Sequence, residues 1–309
     1  MKKPKQEKIS FHGWVNIDKP TGFTSTYITN FIKRTIHPKK IGHAGTLDPA
    51  ASGILPLALG EATKVIEFIQ DAIKEYIFTI KFGQTTDSLD ADGKIIETGG
   101  RLPELKEIEN ILPQFIGKIK QFPPAFSAVK IDGKRAYDLA RLGIEVKTKE
   151  REVNIYSLKF AENYGIRYKD QLVEEITLIC KCSKGTYIRT LGADIAIALQ
   201  TIGYIALLRR TQVGWFNLSN ALKIERTEEG LLLSEKEIID HLKPIDAVLD
   251  DIPVLHLTHE DCVKLRNGLR IPTDSNISGI YRVYLENGKF FAIVTVENAE
   301  AKTWKVFNL

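Results

Sequence analysis

Residues 42–55 read Gly-His-Ala-Gly-Thr-Leu-Asp-Pro-Ala-Ala-Ser-Gly-Ile-Leu, and a single carboxylate, Asp48, stands in their middle. Glycine allows backbone conformations and close approaches that a Cβ would block. Pro49 disfavours the helical region for the residue before it, so the carboxylate is expected in a turn or an extended geometry. The pattern is typical of an active-site loop, although an Asp that caps a following helix would also fit it.

Composition limits the class of protein. The chain has 309 residues, 43% hydrophobic and 27% charged, as in a globular protein with one large domain or one large and one small domain. No apolar run approaches the roughly 20 residues that cross a bilayer. The charged first eight residues lack the apolar segment of a secretory signal. We therefore expect a cytoplasmic protein with no membrane partner.

The cysteines and histidines argue against a metal site or a disulfide framework. The three cysteines are Cys180, Cys182 and Cys262, an odd and low number for disulfide pairing. Cys180 and Cys182 continue the alternation of a strand, which predicts small buried residues rather than half of a metal site. The histidines show no ligand spacing. Neither a metal nor a cofactor is expected.

Charge is distributed in blocks along the chain. Residues 1–40 carry nine Lys and Arg against two acidic residues, whereas residues 41–110 carry six against twelve. Basic blocks separated by acidic ones fit a basic groove folded from several segments, and they fit ordinary solvated faces equally well.

The order of the predicted elements indicates an α+β fold. Strands are predicted at 13–18 and 74–82 and two or three more at 151–182, and helices at 24–36, 61–70, 103–117, 135–142 and 190–200. There is no regular alternation of strand and helix. We therefore predict a mixed, mainly antiparallel sheet with flanking helices.

Three units are predicted from changes in composition and in secondary-structure pattern along the chain. Residues 1–12 are predicted to be a flexible basic arm, residues 13–251 the main domain, and residues 252–309 a small β-rich domain. Within the small domain, Asn287-Gly288 between two alternating runs predicts a hairpin. Residues 222–251 are acidic and favour a return helix and a linker.

Six segments stand in the order and approximate spacing of one enzyme family. They are Lys19-Pro-Thr-Gly22, Gly42-His-Ala-Gly-Thr-Leu-Asp-Pro49, Lys74-Glu-Tyr76, Pro123-Pro-Ala-Phe-Ser-Ala-Val-Lys130 with Gly133-Lys-Arg-Ala-Tyr137, Ser183-Lys-Gly-Thr-Tyr-Ile-Arg-Thr-Leu191 and Leu207-Leu-Arg-Arg210. Over about residues 13–220 the chain resembles the TruB-type tRNA pseudouridine synthases. The small domain resembles a PUA-type RNA-binding module. The resemblance implies the pseudouridine synthase catalytic fold and isomerisation of uridine 55 in the T-loop of tRNA to pseudouridine.

This reaction breaks the bond between N1 and ribose C1′, turns the base over and joins C5 to C1′. The uridine must first be flipped out of its stack, at a cost of roughly a few kcal/mol. The resemblance implies that Asp48 is the nucleophile, Arg189 its ion-pair partner and Tyr76 the ring that stacks on the uracil, with a proposed part in proton transfer from C5. The sequence leaves open whether Asp48 acts at C1′, at C6 or on a C2′ proton. Without the family, a solvent-facing strand residue at Arg189 and a core aromatic at Tyr76 fit as well.

The resemblance also implies substrate-binding residues. His43 takes the place of the flipped base in the T-loop stack, and Tyr187 and Leu208 contact the flipped nucleoside, although each alone is more often a core residue. Lys19 and Pro20 pack beside the catalytic loop, with Lys19 a candidate for phosphate binding. Further candidates for phosphate contact are Lys33, Arg34, Lys39, Lys40, Lys130, Lys134, Arg135, Arg209 and Arg210.

Other functions remain open at this point. They are a tRNA-folding chaperone, a guide-RNA-dependent synthase that modifies ribosomal RNA, and a hydrolase or glycosylase that acts through one Asp. The small domain is short and no long basic tail follows it. We therefore expect an enzyme that needs no guide RNA. The resemblance implies contact with the T-loop of tRNA, and the small domain is expected to bind the acceptor stem. Nothing in the sequence demands more than a monomer.

Overall fold

The structure is a computed structural model and describes residues 11–124, 126–127, 130–131, 134–135, 144, 148–228, 230–273 and 278–309. Its strands are β1 (Gly13–Lys19), β2 (Ile41–His43), β3 (Ser52–Leu59), β4 (Lys74–Phe82), β5 (Gln84–Thr86), β6 (Ile95–Thr98), β7 (Gly117–Gln121), β8 (Lys130–Ile131), β9 (Lys134–Arg135), β10 (Arg151–Phe160), β11 (Ile166–Lys169), β12 (Leu172–Cys182), β13 (Gly203–Val213), β14 (Phe216–Asn217), β15 (Leu222–Lys223), β16 (Glu225–Thr227), β17 (Gly230–Leu232), β18 (Val254–His256), β19 (Ile271–Pro272), β20 (Gly279–Tyr284), β21 (Phe290–Glu297) and β22 (Glu300–Val306).

Helices cover the sheet and connect its strands. The α-helices are α1 (Ser25–Ile36), α2 (Ile66–Gln70), α3 (Leu105–Ile111), α4 (Ile188–Ala198), α5 (Glu235–Asp240) and α6 (His259–Arg266), and short 3-10 turns lie at Gly60–Val65, Leu112–Phe115, Glu162–Tyr164, Leu218–Asn220 and Ile245–Val248. Within the described ranges, none of the helices is long and apolar enough to cross a lipid bilayer.

An eleven-stranded sheet forms the centre of the main domain. Its main path runs β15-β1-β3-β13-β4-β12-β10-β7, and β2, β11 and β14 pair beside that path. The β1–β15 and β3–β13 pairs are parallel, and the other pairs are antiparallel. The predicted α+β class with a mixed, mainly antiparallel sheet is therefore confirmed.

The sequence pattern explains the main strands. Strand β4 alternates buried and partly exposed residues along its whole length, as predicted for a strand with one face on the core. Cys180 and Cys182 lie buried on β12, which confirms that they continue the alternation of a strand. Helix α1 begins after Thr24, whose side chain accepts a hydrogen bond from the N–H of Tyr27, as expected of an N-cap.

Four expectations are wrong or fall, wholly or in part, outside the described residues. A strand, β3, follows Asp48, so this carboxylate does not cap a helix. Residues 222–232 form short strands, and the helix of this region is confined to α5, because only residues from Ser234 onward carry a capping box. His12 accepts a hydrogen bond from the N–H of Glu61 at 3.0 Å, so it is not part of a flexible arm. Residues 1–10 and the helix predicted at 135–142, of which only the backbone at 135 is assigned, lie outside the described residues.

The small domain contains a five-stranded sheet in the order β18-β20-β21-β22-β19. The predicted hairpin at Asn287-Gly288 joins β20 to β21 and is confirmed. One hydrophobic cluster joins this domain to the main domain. It contains Phe290, Ile293 and Phe307 of this domain and Trp14 and Phe216 of the main domain. The two parts of the chain therefore share a hydrophobic core.

Candidate active site

A cleft of about 300 Å³ opens where β4 and β13 meet the segment between β2 and β3. Its lining includes Asp48, Tyr76, Tyr187, Arg189 and Leu208. The structure thus brings together five residues that the sequence analysis singled out in four distant segments. We call residues 44–51, between β2 and β3, the Asp48 loop.

Asp48 and Arg189 form an ion pair at the edge of the cleft. The Nε of Arg189 lies 3.0 Å from Oδ2 of Asp48, and the side chains are 3% and 36% exposed respectively. Among the described residues this Nε has no partner with hydrogen-bond geometry, so the contact is an ion pair rather than a directed hydrogen bond. A buried cation therefore faces a carboxylate that is open to the cleft. Arg189 lies in the first turn of α4, so the interpretation as a solvent-facing strand residue is wrong.

The rest of the Arg189 guanidinium is fixed by the protein. Its Nη1 donates to the carbonyl of Ser88 at 2.8 Å and its Nη2 to the carbonyl of Phe126 at 2.7 Å. Nη1 also lies 3.5 Å from Oδ2 of Asp90. A cation in the first turn of a helix is disfavoured by the helix dipole. Two flanking carboxylates offset that cost here.

Asp90 is a site residue that the sequence analysis missed. Its side chain is 9% exposed, and its Oδ1 accepts hydrogen bonds from the Ser88 hydroxyl at 2.5 Å and from the N–H of Asp92 at 3.2 Å. Burial and the charge of Asp90 raise the pKa of Asp92. These acids lie in a turn-rich segment without periodicity, so only their number could have drawn attention to them. Across the described ranges, no group of three or more His, Cys, Asp or Glu side chains is placed to hold a metal ion.

The Asp48 loop is held by hydrogen bonds from α1 and the turn before it. The hydroxyl of Ser25 donates to the carbonyl of Leu47 at 2.9 Å and accepts from the N–H of Leu47 at 2.8 Å. The N–H of Gly22 donates to the carbonyl of Pro49 at 2.8 Å. The backbone on both sides of Asp48 is therefore fixed before any substrate binds, which favours preorganisation.

Lys19 lies beneath the loop. Its ammonium donates to the carbonyls of Pro20 at 2.9 Å, Phe23 at 2.8 Å and Pro49 at 3.4 Å, and the residue has no exposed surface. Burial lowers the pKa of Lys19 to about 8, while the negative charge of Asp48 acts in the opposite direction. This placement favours a role for Lys19 in supporting the loop over a role in phosphate binding. Pro20 shares the supporting role, because its carbonyl accepts one of the hydrogen bonds from Lys19.

Arg210 is buried, contrary to the expectation that it contacts phosphate. It is 1% exposed, and its guanidinium donates to the carbonyls of Gly45 at 3.0 Å, Thr46 at 3.3 Å and Ile54 at 2.8 Å. The signal that suggested a phosphate contact was a pair of arginines on a predicted RNA-binding protein. On a strand, neighbouring side chains point to opposite faces, so such a pair cannot share one surface.

The other candidates for phosphate contact differ in exposure. Arg209 forms an ion pair with Asp18 at 2.6 Å and is only partly exposed. The exposed candidates near the end of α1 are Lys33, Arg34, Lys39 and Lys40. The side chains of Lys130, Lys134 and Arg135 lie outside the described residues.

Tyr76 and Leu208 form the apolar part of the cleft wall. They are 8% and 9% exposed, so each is both a core residue and a lining residue. Burial raises the pKa of Tyr76 to about 12. Tyr187 lies at the N-cap of α4, and its backbone N–H and C=O bond the side-chain amide of Gln121 at 3.1 and 3.3 Å. Gln121, almost fully buried, is a positioning group that the sequence analysis missed.

His43 and Ser127 carry buried polar atoms without partners among the described residues. They are Nδ1 of His43 and Oγ of Ser127. His43 ends β2 at the start of the Asp48 loop, and burial lowers its pKa, with the charge of Arg210 acting in the same direction. Ser127 lines the cleft. Buried polar atoms are rarely left unpaired, so the Ser127 hydroxyl in the cleft lining indicates a site that a ligand completes.

Residues 33–188 match the model of the family described as TruB family pseudouridylate synthase, N terminal domain. The chain is 44% identical over 259 residues to tRNA pseudouridine synthase B of Caulobacter vibrioides, covering 84% of this chain and 81% of that protein. It is 43% identical over 300 residues to tRNA pseudouridine synthase B of Rickettsia bellii, covering 96% of this chain and 98% of the relative.

Solved structures show the same fold. The crystal structure of a Cbf5-Nop10-Gar1 complex contains a chain that superposes with a TM-score of 0.68 at 22% identity, over 96% of this chain and 84% of that one. A likeness at this level of identity shows a shared architecture. The pseudouridine synthase catalytic fold predicted from the six segments is therefore confirmed.

Proposed function

The chain belongs to the TruB family of pseudouridylate synthases, and we propose that it isomerises uridine 55 in the T-loop of tRNA to pseudouridine. The observation that carries this proposal is the Asp48 carboxylate, open to the cleft and 3.0 Å from the buried Arg189 Nε. A carboxylate beside a fixed cation supplies the nucleophile that the reaction requires. The names of the relatives support tRNA as the substrate.

The proposed reaction takes place on a uridine that has been flipped out of the T-loop. Asp48 acts as the nucleophile, the bond from N1 to C1′ breaks, the base turns, and C5 joins C1′. The proton lost from C5 is balanced by the proton gained at N1, so the mass of the RNA is unchanged. Arg189 holds Asp48 in place through the ion pair.

Tyr76 is proposed to stack on the flipped uracil, with Leu208 and Tyr187 completing the nucleoside pocket. Because burial raises the pKa of Tyr76 to about 12, its hydroxyl keeps its proton at neutral pH. A protonated phenol can stack and donate a hydrogen bond, whereas removal of the C5 proton would need the phenolate. The raised pKa therefore favours stacking as the main role of Tyr76.

The wider RNA contact is proposed from position and charge. His43 takes the place of the flipped base in the T-loop stack, and its lowered pKa favours the neutral ring that stacking requires. The exposed basic residues from 33 to 40 run from the last turn of α1 toward β2 and so lie near His43 in the chain. The domain at 252–309 is proposed to be PUA-like and to bind the acceptor stem. The enzyme is proposed to work in the cytoplasm as a monomer without guide RNA or cofactor.

The test uses the full-length protein and an unmodified tRNA transcript, with no other RNA or protein added. We expect one pseudouridine to form at position 55, with no free uracil and no change in RNA mass. A transcript with cytidine at 55 should give no product. Asp48→Asn should abolish product formation but leave the Kd for tRNA within about threefold, because the substitution removes a charge and keeps the shape.

Asp250→Asn is the matched control, because Asp250 is an exposed carboxylate that also pairs with an arginine, Arg282, at 3.4 Å. This variant should turn over at the wild-type rate. Turnover by Asp48→Asn would overturn the role of Asp48. Product at another uridine, or only in the presence of a guide RNA, would overturn the proposed substrate. Release of free uracil would show a glycosylase instead.

A further inference from the structure

One arginine joins the two ends of the Asp48 loop. Arg210 donates from Nη2 to Gly45 and from Nη1 to Thr46, at the start of the loop. It donates from Nε to Ile54 on β3, just after the loop ends. Asp48 lies between these anchor points, so Arg210 is the side chain of β13 that holds the loop, in addition to the contacts from Ser25, Gly22 and Lys19. Arg210 itself lines the cleft, beneath the position of the carboxylate.

The charge of Arg210 has an unusual environment. Arg189 and Arg209 both have carboxylate partners within 4.0 Å, whereas Arg210 has none among the described residues. Burial of a cation is costly unless hydrogen bonds compensate for lost water. Here the compensation comes from backbone carbonyls of the Asp48 loop and β3. The loop therefore adopts the conformation that presents those carbonyls, because the alternative leaves a buried charge unpaired.

Arg210 also faces Tyr76. The two residues are opposite each other in the register of β13 and β4, which places both side chains on the same face of the sheet. The positive charge of Arg210 lowers the pKa of Tyr76, against the larger effect of burial. One guanidinium thus bonds the loop that carries the nucleophile and lies on the same face of the sheet as the ring proposed to stack on the base.

The glycines of the opening stretch fit this arrangement. Gly45 has φ +115°, and a Cβ there would lie 3.6 Å from Nη1 of Arg210. Gly53 has φ +104°, and a Cβ there would lie 2.1 Å from the carbonyl oxygen of Arg210. Gly53 therefore allows β3 to approach β13 closely, and both glycines adopt a conformation that other residues rarely adopt.

We propose that Arg210 is a positioning residue that sets the place of Asp48 relative to Arg189 and orients the Tyr76 ring in the cleft. Arg210 is only 1% exposed and is assigned no contact with RNA. The inference rests on the proposed function, since positioning is measured through pseudouridine formation. A misplacement of about 1 Å in a reacting group can slow a reaction roughly 100-fold.

The test compares Arg210→Lys with the wild type. Lysine keeps the charge but has one nitrogen, which cannot reach all three carbonyls. With saturating tRNA transcript we expect the single-turnover rate to fall about 100-fold, while the Kd for tRNA stays within about threefold and unfolding remains cooperative. Arg101→Lys is the control, because the Arg101 guanidinium also bonds a carbonyl, that of Leu199, away from the cleft. It should keep the wild-type rate.

Two outcomes would overturn the inference. One is a folded Arg210→Lys variant with a single-turnover rate within about threefold of wild type. The other is a loss of rate that tracks an equal loss of tRNA affinity, which would indicate a purely structural role. If Arg210→Lys does not fold, Gly45→Ala displaces the carbonyl that Arg210 bonds, because φ +115° is strained for alanine. A wild-type rate in that folded variant would equally refute the proposal. Failure of the wild type to form pseudouridine would instead refute the proposed function.

Discussion

Removal of Arg189 should have separable effects on stability and on catalysis. In Arg189→Met the guanidinium between Asp48 and Asp90 is replaced by an apolar chain of similar length. Asp90 would then be a carboxylate with 9% exposure and no cation beside it, and the carbonyls of Ser88 and Phe126 would lose their donors. Breaking a buried pair in this way costs roughly 3–5 kcal/mol.

The double variant Arg189→Met/Asp90→Asn distinguishes the two effects. The amide removes the unpaired buried charge, so the free energy of unfolding should recover by about 1–3 kcal/mol relative to the single variant. Pseudouridine formation should not recover, because Asp48 still lacks its partner. Urea denaturation gives the first quantity, and single-turnover assays on a tRNA transcript give the second.

Arg101→Met is the control for the loss of an arginine. Arg101 pairs with Glu107 at the surface, and their side chains are 43% and 38% exposed. Arg101→Met should therefore lower the free energy of unfolding by less than about 1 kcal/mol. A double variant no more stable than Arg189→Met would show that Asp90 is not the source of the instability. Recovery of activity in the double variant would refute the role given to the Asp48–Arg189 ion pair.

Three further predictions follow from single side chains. As pH rises from 8 to 10.5, wild type should gain up to about 3 kcal/mol of unfolding free energy relative to Lys19→Met. The reason is that folded Lys19, with its pKa lowered to about 8, has released a proton that the unfolded chain still binds. Urea midpoints of the two proteins that change in parallel across this range would contradict this prediction. Gln121→Ala should lower the free energy of unfolding by about 1–3 kcal/mol, because it leaves the backbone N–H and C=O of Tyr187 unpaired. An unchanged thermal midpoint would argue against a stabilising contact between Gln121 and Tyr187. Tyr76→Phe should retain tRNA affinity and at least a tenth of the single-turnover rate, whereas Tyr76→Ala should lose nearly all of that rate. Equal losses of rate in the two variants would assign the chemistry to the hydroxyl.

Local pattern was sufficient to predict much of the fold. Strand β4 and the Asn287-Gly288 hairpin follow from alternation and turn chemistry, which act over a few residues. The short strands β15–β17 were mistaken for a helix and linker. Such strands are defined by their partners, and β15 pairs with β1, some 200 residues earlier in the chain. Acidic residues between short apolar runs carry no sign of that partner.

The same limit applies to the site. Asp48 and Arg189 could be identified because their segments have distinctive residue types at fixed spacing. Asp90 and Arg210 could not be assigned correctly, because their roles depend on which atoms lie beside them. Arg210 looked like a phosphate contact until the register of β13 against β3 and β4 showed its guanidinium beneath the Asp48 loop.

Strand β13 lies between β3 and β4 in the sheet, yet it is synthesised after both of them. The strands on one side of it come mainly from residues 13–59, and those on the other side from residues 74–182. During translation the two parts of the sheet therefore cannot pair through β13, and each keeps an unpaired edge, until residue 213 has left the ribosome. Unpaired edges favour aggregation, and pairing across such sequence separation is slow. Nascent chains stalled before β13 should need chaperone protection, and the cleft should form only when this strand is inserted.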